Sequence, residues 1–96
     1  MDFTSAINNR QLLSFVYDGH PRVVQPSTYG VTSTGKESLR ACQVDGTSRR
    51  NIVPCWELYT VAKMADVAPV GEAFEEFAVE GYTRGDSAFT QIIAEH

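Results

Sequence analysis

Two arginines and two tyrosines define the chemistry open to this chain. Phe15, Tyr17, Arg22, Pro26 and Tyr29 crowd the turn-rich stretch "SFVYDGHPRVVQPSTYG", and Arg40 follows in "SLRACQV". A guanidinium fork grips phosphate through two parallel hydrogen bonds, and an aromatic face stacks a base. Two guanidinium groups side by side repel each other unless an anion lies between them. Six cations against three acids give residues 10–50 a net charge of +3, so an external phosphate is a fitting partner. Tyr17, Arg22, Tyr29 and Arg40 are therefore the candidate anion-and-base site, and Arg49 and Arg50 of "TSRRN" can extend it along a backbone. A structural alternative stands beside this. The tyrosines then fill the rim of a core, the arginines pair with Asp18, Glu37 or Glu57, and "TSRRN" is a solvated loop tip.

Other chemistries find little footing. Cys42, Cys55, His20 and His96 lack the spacing of zinc ligands. No Ser-His-Asp order appears in a known context, and "STGKES" lacks the spacing of a phosphate-binding loop. Glu72, Glu75, Glu76 and Glu80 read as a solvated helical face, and "RGDS" (84–87) as a turn with a helix cap. No catalytic residue, metal ligand or cofactor is predicted.

The elements that must position the arginines follow from pattern. "TSAINNRQLL" (4–13) predicts a short helix capped by Thr4 or Ser5. Leu13, Phe15 and Tyr17 alternate as a strand, "DGHP" turns, and "RVVQP" returns. A four-residue loop pairs Tyr17 with Arg22, which puts Arg22 beside the aromatic row at its solvent-reaching end. Short strands follow at 29–31, 38–44 and 55–64, with 45–54 as a long basic loop and "ADVAPV" leading out. Residues 71–77 predict a turn or two of helix. "GDSAFTQIIAEH" (85–96) predicts a last helix, capped by Asp86 or Ser87, with Phe89, Ile92 and Ile93 on one face. The fold class is mainly β (α+β): a small, strongly bent Sm/SH3-like barrel of about five strands between an N-terminal and a C-terminal helix.

Bulk properties set the limits. Ninety-six residues, 43% hydrophobic and 21% charged, make one domain (1–96) with one modest core. Two cations against eight acids leave residues 57–96 at −6, and the whole chain carries −4. That balance fits a local anion site and not a salt-driven coating of nucleic acid. No apolar run approaches the roughly 20 residues of a membrane span, and no secretory signal is visible, so a cytoplasmic protein is expected. Cys42 and Cys55 are expected as free thiols that pack as small apolar groups. A core this small favours a homo-oligomer, most simply a dimer, through Trp56 or the Phe89–Ile92–Ile93 face.

In this order the elements resemble the WYL domain family, in particular its short stand-alone members. The likeness spans about residues 3–95 and rests on Tyr17-x-Gly19, Arg22-x-Val24-x-Pro26, Tyr29-Gly30, Leu39-Arg40-Ala41, Gln43 and Trp56. The resemblance implies an Sm-like five-stranded barrel preceded by a helix, and a non-enzymatic regulatory module that binds nucleotide-like ligands or short single-stranded nucleic acid. It adds Gln43 to the candidate ligand residues. Such domains typically accompany a helix-turn-helix in transcription regulators, or belong to defence systems; here a partner protein would carry the DNA-binding function. Two features depart from the family pattern. Its naming tripeptide falls at Leu39-Arg40-Ala41, without Trp or Tyr, and Thr60 and Lys63 stand where the later strand often has two arginines. The reading from another class is a structural or interaction protein that self-assembles or docks on a host, regulatory or defence protein without a small ligand.

Overall fold

A two-residue turn sets the register of the first hairpin. Asp18 and Gly19 both take positive φ, 52° and 76°, the geometry whose twist matches that of antiparallel strands. In the computed structural model, which describes residues 2–48 and 52–96, β1 (Gln11–Tyr17) therefore meets β2 (His20–Thr32) with Tyr17 opposite His20 and Phe15 opposite Arg22. This corrects the predicted Tyr17–Arg22 pairing: the turn is two residues shorter than "DGHP" suggested. Arg22 still faces the aromatic row, but one rung deeper, and it is 2% exposed instead of solvent-reaching.

Four more strands complete one antiparallel sheet: β3 (Glu37–Gly46), β4 (Cys55–Thr60), β5 (Ala65–Ala73) and β6 (Phe89–Glu95), with a 3-10 turn (Val61–Lys63) between β4 and β5. The order is β4-β3-β2-β1-β5, and β6 pairs with β2. β2 explains how one strand serves three neighbours. Its residues 20–24 pair with β1, its residues 28–32 pair with β6, and β3 runs along its other edge. The change of partner falls at Gln25–Ser27, where Pro26 has no N–H to offer and the register with β3 shifts. β4 and β5 do not pair with each other, so hydrogen bonding does not close the sheet into a barrel. The sheet is nevertheless curled: the molecule measures 29 × 27 × 25 Å, whereas a flat sheet with one covered face is only about 10 Å from layer to layer.

The inner face holds the core. Phe3, Ile7, Leu13, Phe15, Val24, Leu39, Tyr59 and Ala94 are buried together there. The first two come from α1 (Phe3–Asn8), whose Phe3, Ala6 and Ile7 lie on one side at i, i+3, i+4. α1 is shorter than predicted. Arg10 takes a φ of 52° and ends it, and Asp2 caps it by accepting from the Thr4 N–H at 3.0 Å.

Two predicted helices are absent. Residues 71–77 finish β5 and run on as an irregular segment, because Gly71 has a φ of 88° and Phe74 and Phe77 are drawn to the outer side of the sheet. Residues 89–95 form β6 in place of the C-terminal helix. Asp86 does cap a turn, accepting from the Ala88 N–H at 3.0 Å through its side chain and from the Phe89 N–H at 3.1 Å through its carbonyl. Beyond it, Thr90, Ile92 and Ile93 are β-branched, and the free edge of β2 offers hydrogen bonds to a strand. Phe89, Ile92 and Ile93 therefore share no helical face: Phe89 is buried, Ile92 half-buried and Ile93 47% exposed. Among the described residues there are six strands and one α-helix. Among the described residues no helix is long and apolar enough to cross a membrane.

Candidate functional site

Strand alternation divides the predicted site residues between two faces. Leu39, Ala41 and Gln43 of β3 point inward, and Arg40 and Cys42 point outward. Arg22 belongs to the inner set. Its Nη1 donates to Glu57 Oε2 at 2.7 Å and to Gln43 Oε1 at 3.3 Å. Its Nε and Nη2 donate to the Tyr17 carbonyl at 3.3 and 3.2 Å. The guanidinium carbon lies 5.4 Å from the Tyr17 ring centre and 5.6 Å from that of Tyr59, within the range of cation–π attraction. Phe15, Tyr17 and Tyr59 pack edge to face around it, with centroids 4.9 to 6.3 Å apart. Gln43 is equally committed: its Nε2 donates to the carbonyls of Asp45 and Thr47, both at 3.0 Å, and so holds the root of the following loop. The Tyr17 hydroxyl accepts from the Thr60 N–H at 3.0 Å. Tyr17, Arg22 and Gln43 are thus brought together, around an internal carboxylate.

Tyr29 stands apart from this cluster. Its ring is 5.2 Å from Phe3, and its hydroxyl donates to Glu37. That hydrogen bond, helped by burial, pushes its pKa up to about 12. Burial also raises the Tyr59 hydroxyl, with the Glu57 charge adding to it. Arg49 and Arg50 lie outside the described residues.

The outer face carries the second constellation. Arg40 Nε donates to Asp86 Oδ2 at 2.8 Å, with the two side chains 29% and 12% exposed. Burial alone would raise the Asp86 carboxyl, but the hydrogen bonds from Arg40 and the Ala88 N–H hold it below the usual carboxylate value. Among the described residues the terminal amino groups of Arg40 have no hydrogen-bond partner. Arg40 and Asp86 line a pocket of about 170 Å³ together with Trp56, Gly81, Thr83 and Ser87. A second hollow of about 460 Å³, lined by Phe77, Val79 and Tyr82, shares Gly81 with it.

Trp56 lies between the sheet and the segment that follows β5. Its Nε1 donates to the Val79 carbonyl at 2.9 Å, and its ring is 4.9 Å from Phe77. Phe77 in turn contacts Phe74, Tyr82 and His96, at 5.3, 5.4 and 4.8 Å. This half-buried aromatic layer is what Trp56 packs on. Cys42 and Cys55 are free thiols on opposite faces of the β3–β4 ladder, and burial raises both. Residues 84–85 form a turn, as read from "RGDS", but the half-buried Asp86 caps a second turn that leads into β6 and not into a helix.

Sequence reasoning missed Gln25, Phe77 and Gly81. Gln25 Nε2 donates to the Glu76 carbonyl at 2.9 Å while its Oε1 accepts from the Ala78 N–H at 2.8 Å. The available signal was the recurrence of Phe74, Phe77 and Tyr82 inside an acidic stretch, a poor fit to a solvated face. No family model, curated protein or solved structure matches the chain.

Proposed function

We propose that this chain is a non-enzymatic binding module of the WYL kind, built on an Sm-like curled sheet, which holds a nucleotide-type anion or the end of a short single strand on its outer face. The order β4-β3-β2-β1-β5, the helix before β1 and the 3-10 turn before β5 support the likeness. The observation that carries the binding site is Arg40. Asp86 fixes its guanidinium through Nε, no other described residue takes its terminal amino groups, and Arg40 lines a pocket with the hydroxyl-bearing Thr83 and Ser87 as well as Asp86. At about 170 Å³ the pocket suits a phosphate or carboxylate group, not a whole nucleotide, since sites for whole ligands run to roughly 300–1,000 Å³. The base then lies against Trp56 and the adjoining Phe77–Tyr82 hollow, where stacking contributes about 1–3 kcal/mol. Arg22 is the scaffold of this module and not its ligand contact.

Calorimetric titration with cyclic nucleotides and short oligonucleotides, at low and moderate salt, tests the reading. Binding is expected to weaken on Arg40→Gln, with the fold kept, and to fall as salt rises. Absence of binding across that panel overturns it. A second reading, a self-assembling or partner-docking protein, is favoured by the sheet ends: β4 and β5 each pair on one side only. Light scattering at tens of micromolar reads that mass directly.

A further inference from the structure

The segment after β5 is held on the sheet in an unusual way. Apart from the Tyr82 hydroxyl, which donates to the His96 carbonyl at 2.6 Å, its polar contacts run through its main chain: Gln25 pairs with the Glu76 carbonyl and the Ala78 N–H, and Trp56 Nε1 pairs with the Val79 carbonyl. The Cys42 sulfur lies against the N–H groups of Val79 and Ala78. The carboxamide of Gln25, with one donor and one acceptor, does what the edge of another strand would do. Two features of the segment are read by side chain or shape. One is Phe77, set among Trp56, Phe74, Tyr82 and His96. The other is Gly81, where a Cβ would come within 2.7 Å of the Trp56 ring.

The hold is also weak. From 65 to 88 no residue is fully buried, and the core cluster takes nothing from 74–88. Glu72, Glu75, Glu76 and Glu80 repel one another, and none has an ion pair among the described residues. Gly71 and Gly85, with φ of 88° and 71°, flank the segment at points where the chain can pivot. Regions with few buried apolar contacts open at free energies well below that of global unfolding.

We propose that the outer face of β2–β4 is a groove for a bent, irregular peptide bearing an aromatic residue and, four positions later, a glycine, and that residues 74–82, bent at 75–76 and 78–80, fill it in cis as a displaceable occupant. A partner segment of that kind meets Gln25 and Trp56 through its main chain and seats its aromatic ring where Phe77 now lies. Displacing the segment would also remove Gly81 from the Arg40 pocket and Phe77, Val79 and Tyr82 from the adjoining hollow, but labelling of Cys42 needs no anion.

Cys42 reports the opening, because the segment covers it. In a Cys55→Ser background, maleimide labelling of Cys42 is compared with global unfolding measured in urea. Labelling is expected to outrun global unfolding, and to quicken by about tenfold on Phe77→Ala, while the near-ultraviolet signal of the inner tyrosines is kept. Trp56→Phe keeps a ring and removes only the Nε1 donor; it is the milder variant should Phe77→Ala not fold, with an expected gain of about fivefold. A synthetic peptide of residues 74–82, added to the faster-labelling variant, restores protection, and the same peptide with Phe77→Ala does not. Labelling that never exceeds global unfolding, or no protection from the parent peptide, overturns the proposal.

Discussion

Replacing Arg22 with Ala tests whether its guanidinium is structural. The change removes the 2.7 Å pair with Glu57, three further hydrogen bonds and the cation between the Tyr17 and Tyr59 rings. Breaking a buried ion pair by deleting one partner costs about 3–5 kcal/mol. Glu57 is 28% exposed and can regain some water, which puts the loss near the lower end, about 3 kcal/mol. A chain of this length has roughly 5–14 kcal/mol in all. With a urea dependence of roughly 1.5 kcal/mol per molar, the midpoint should fall by about 2 M. Two companions sharpen the test. Glu57→Gln keeps an acceptor for Nη1 but leaves the Arg22 side chain, 1% exposed, without a counter-charge, and should also cost about 3–5 kcal/mol. Arg22→Met with Glu57→Leu removes both charges and should lie within about 1 kcal/mol of the parent, because the desolvation penalty leaves together with the attraction. An Arg22→Ala variant that unfolds within about 1 kcal/mol of the parent, or that loses nucleotide binding with stability unchanged, refutes a structural role for Arg22.

Three further outcomes follow from the same geometry. The raised Tyr29 pKa means that the neutral phenol is favoured in the fold, so its contribution is complete below pH 10 and is lost as pH rises toward about 12. Glu37→Gln should bring the Tyr29 step of an ultraviolet titration to lower pH, and an unmoved step refutes the assignment. His96 is held below its usual value of 6.5 by burial and then by Arg10, so its neutral form is favoured. Its contribution is complete above pH 6.5 and is lost as pH falls through the lower folded value; an imidazole resonance that titrates at or above 6.5 contradicts this. Gly30 lets β6 approach, since a Cβ there would fall 2.0 Å from the Gln91 carbonyl oxygen. Gly30→Ala should cost about 1–3 kcal/mol and unprotect the amides of β6 in hydrogen exchange, ahead of those of β1.

What the sequence revealed depended on whether the signal was local. Leu13, Phe15 and Tyr17, and Leu39, Ala41 and Gln43, alternate cleanly because one side of each strand faces the core, so β1 and β3 were legible. β5 was not: Pro69 and Gly71 read as breakers, and as an edge strand with most of its side chains exposed it has no alternation to show. Residues 89–95 carry a fair helical pattern, but the open edge of β2 some sixty residues earlier decides their conformation, and no local window contains that edge. At the site, the sequence set Arg22 and Arg40 side by side around one anion, whereas each pairs with a different internal acid, Glu57 and Asp86. Their separation onto opposite faces follows from strand parity and from a β2 register that shifts near Pro26, which spacing alone does not report. Glu57 was already a rival partner for the arginines; the two-residue turn that buries Arg22 makes it the actual one.

The division of β2 between β1 and β6 also has a consequence for biosynthesis. Residues 28–32 are made early, but the strand that covers their edge spans 89–95. At about 5–20 residues per second, roughly 3–12 s separate the two during translation. For that interval the Thr28–Thr32 edge is an unpaired template on a nascent chain, open to a chaperone or to another copy emerging from the same message. Closing it requires a long loop, which places β6 docking among the late and slow events of folding.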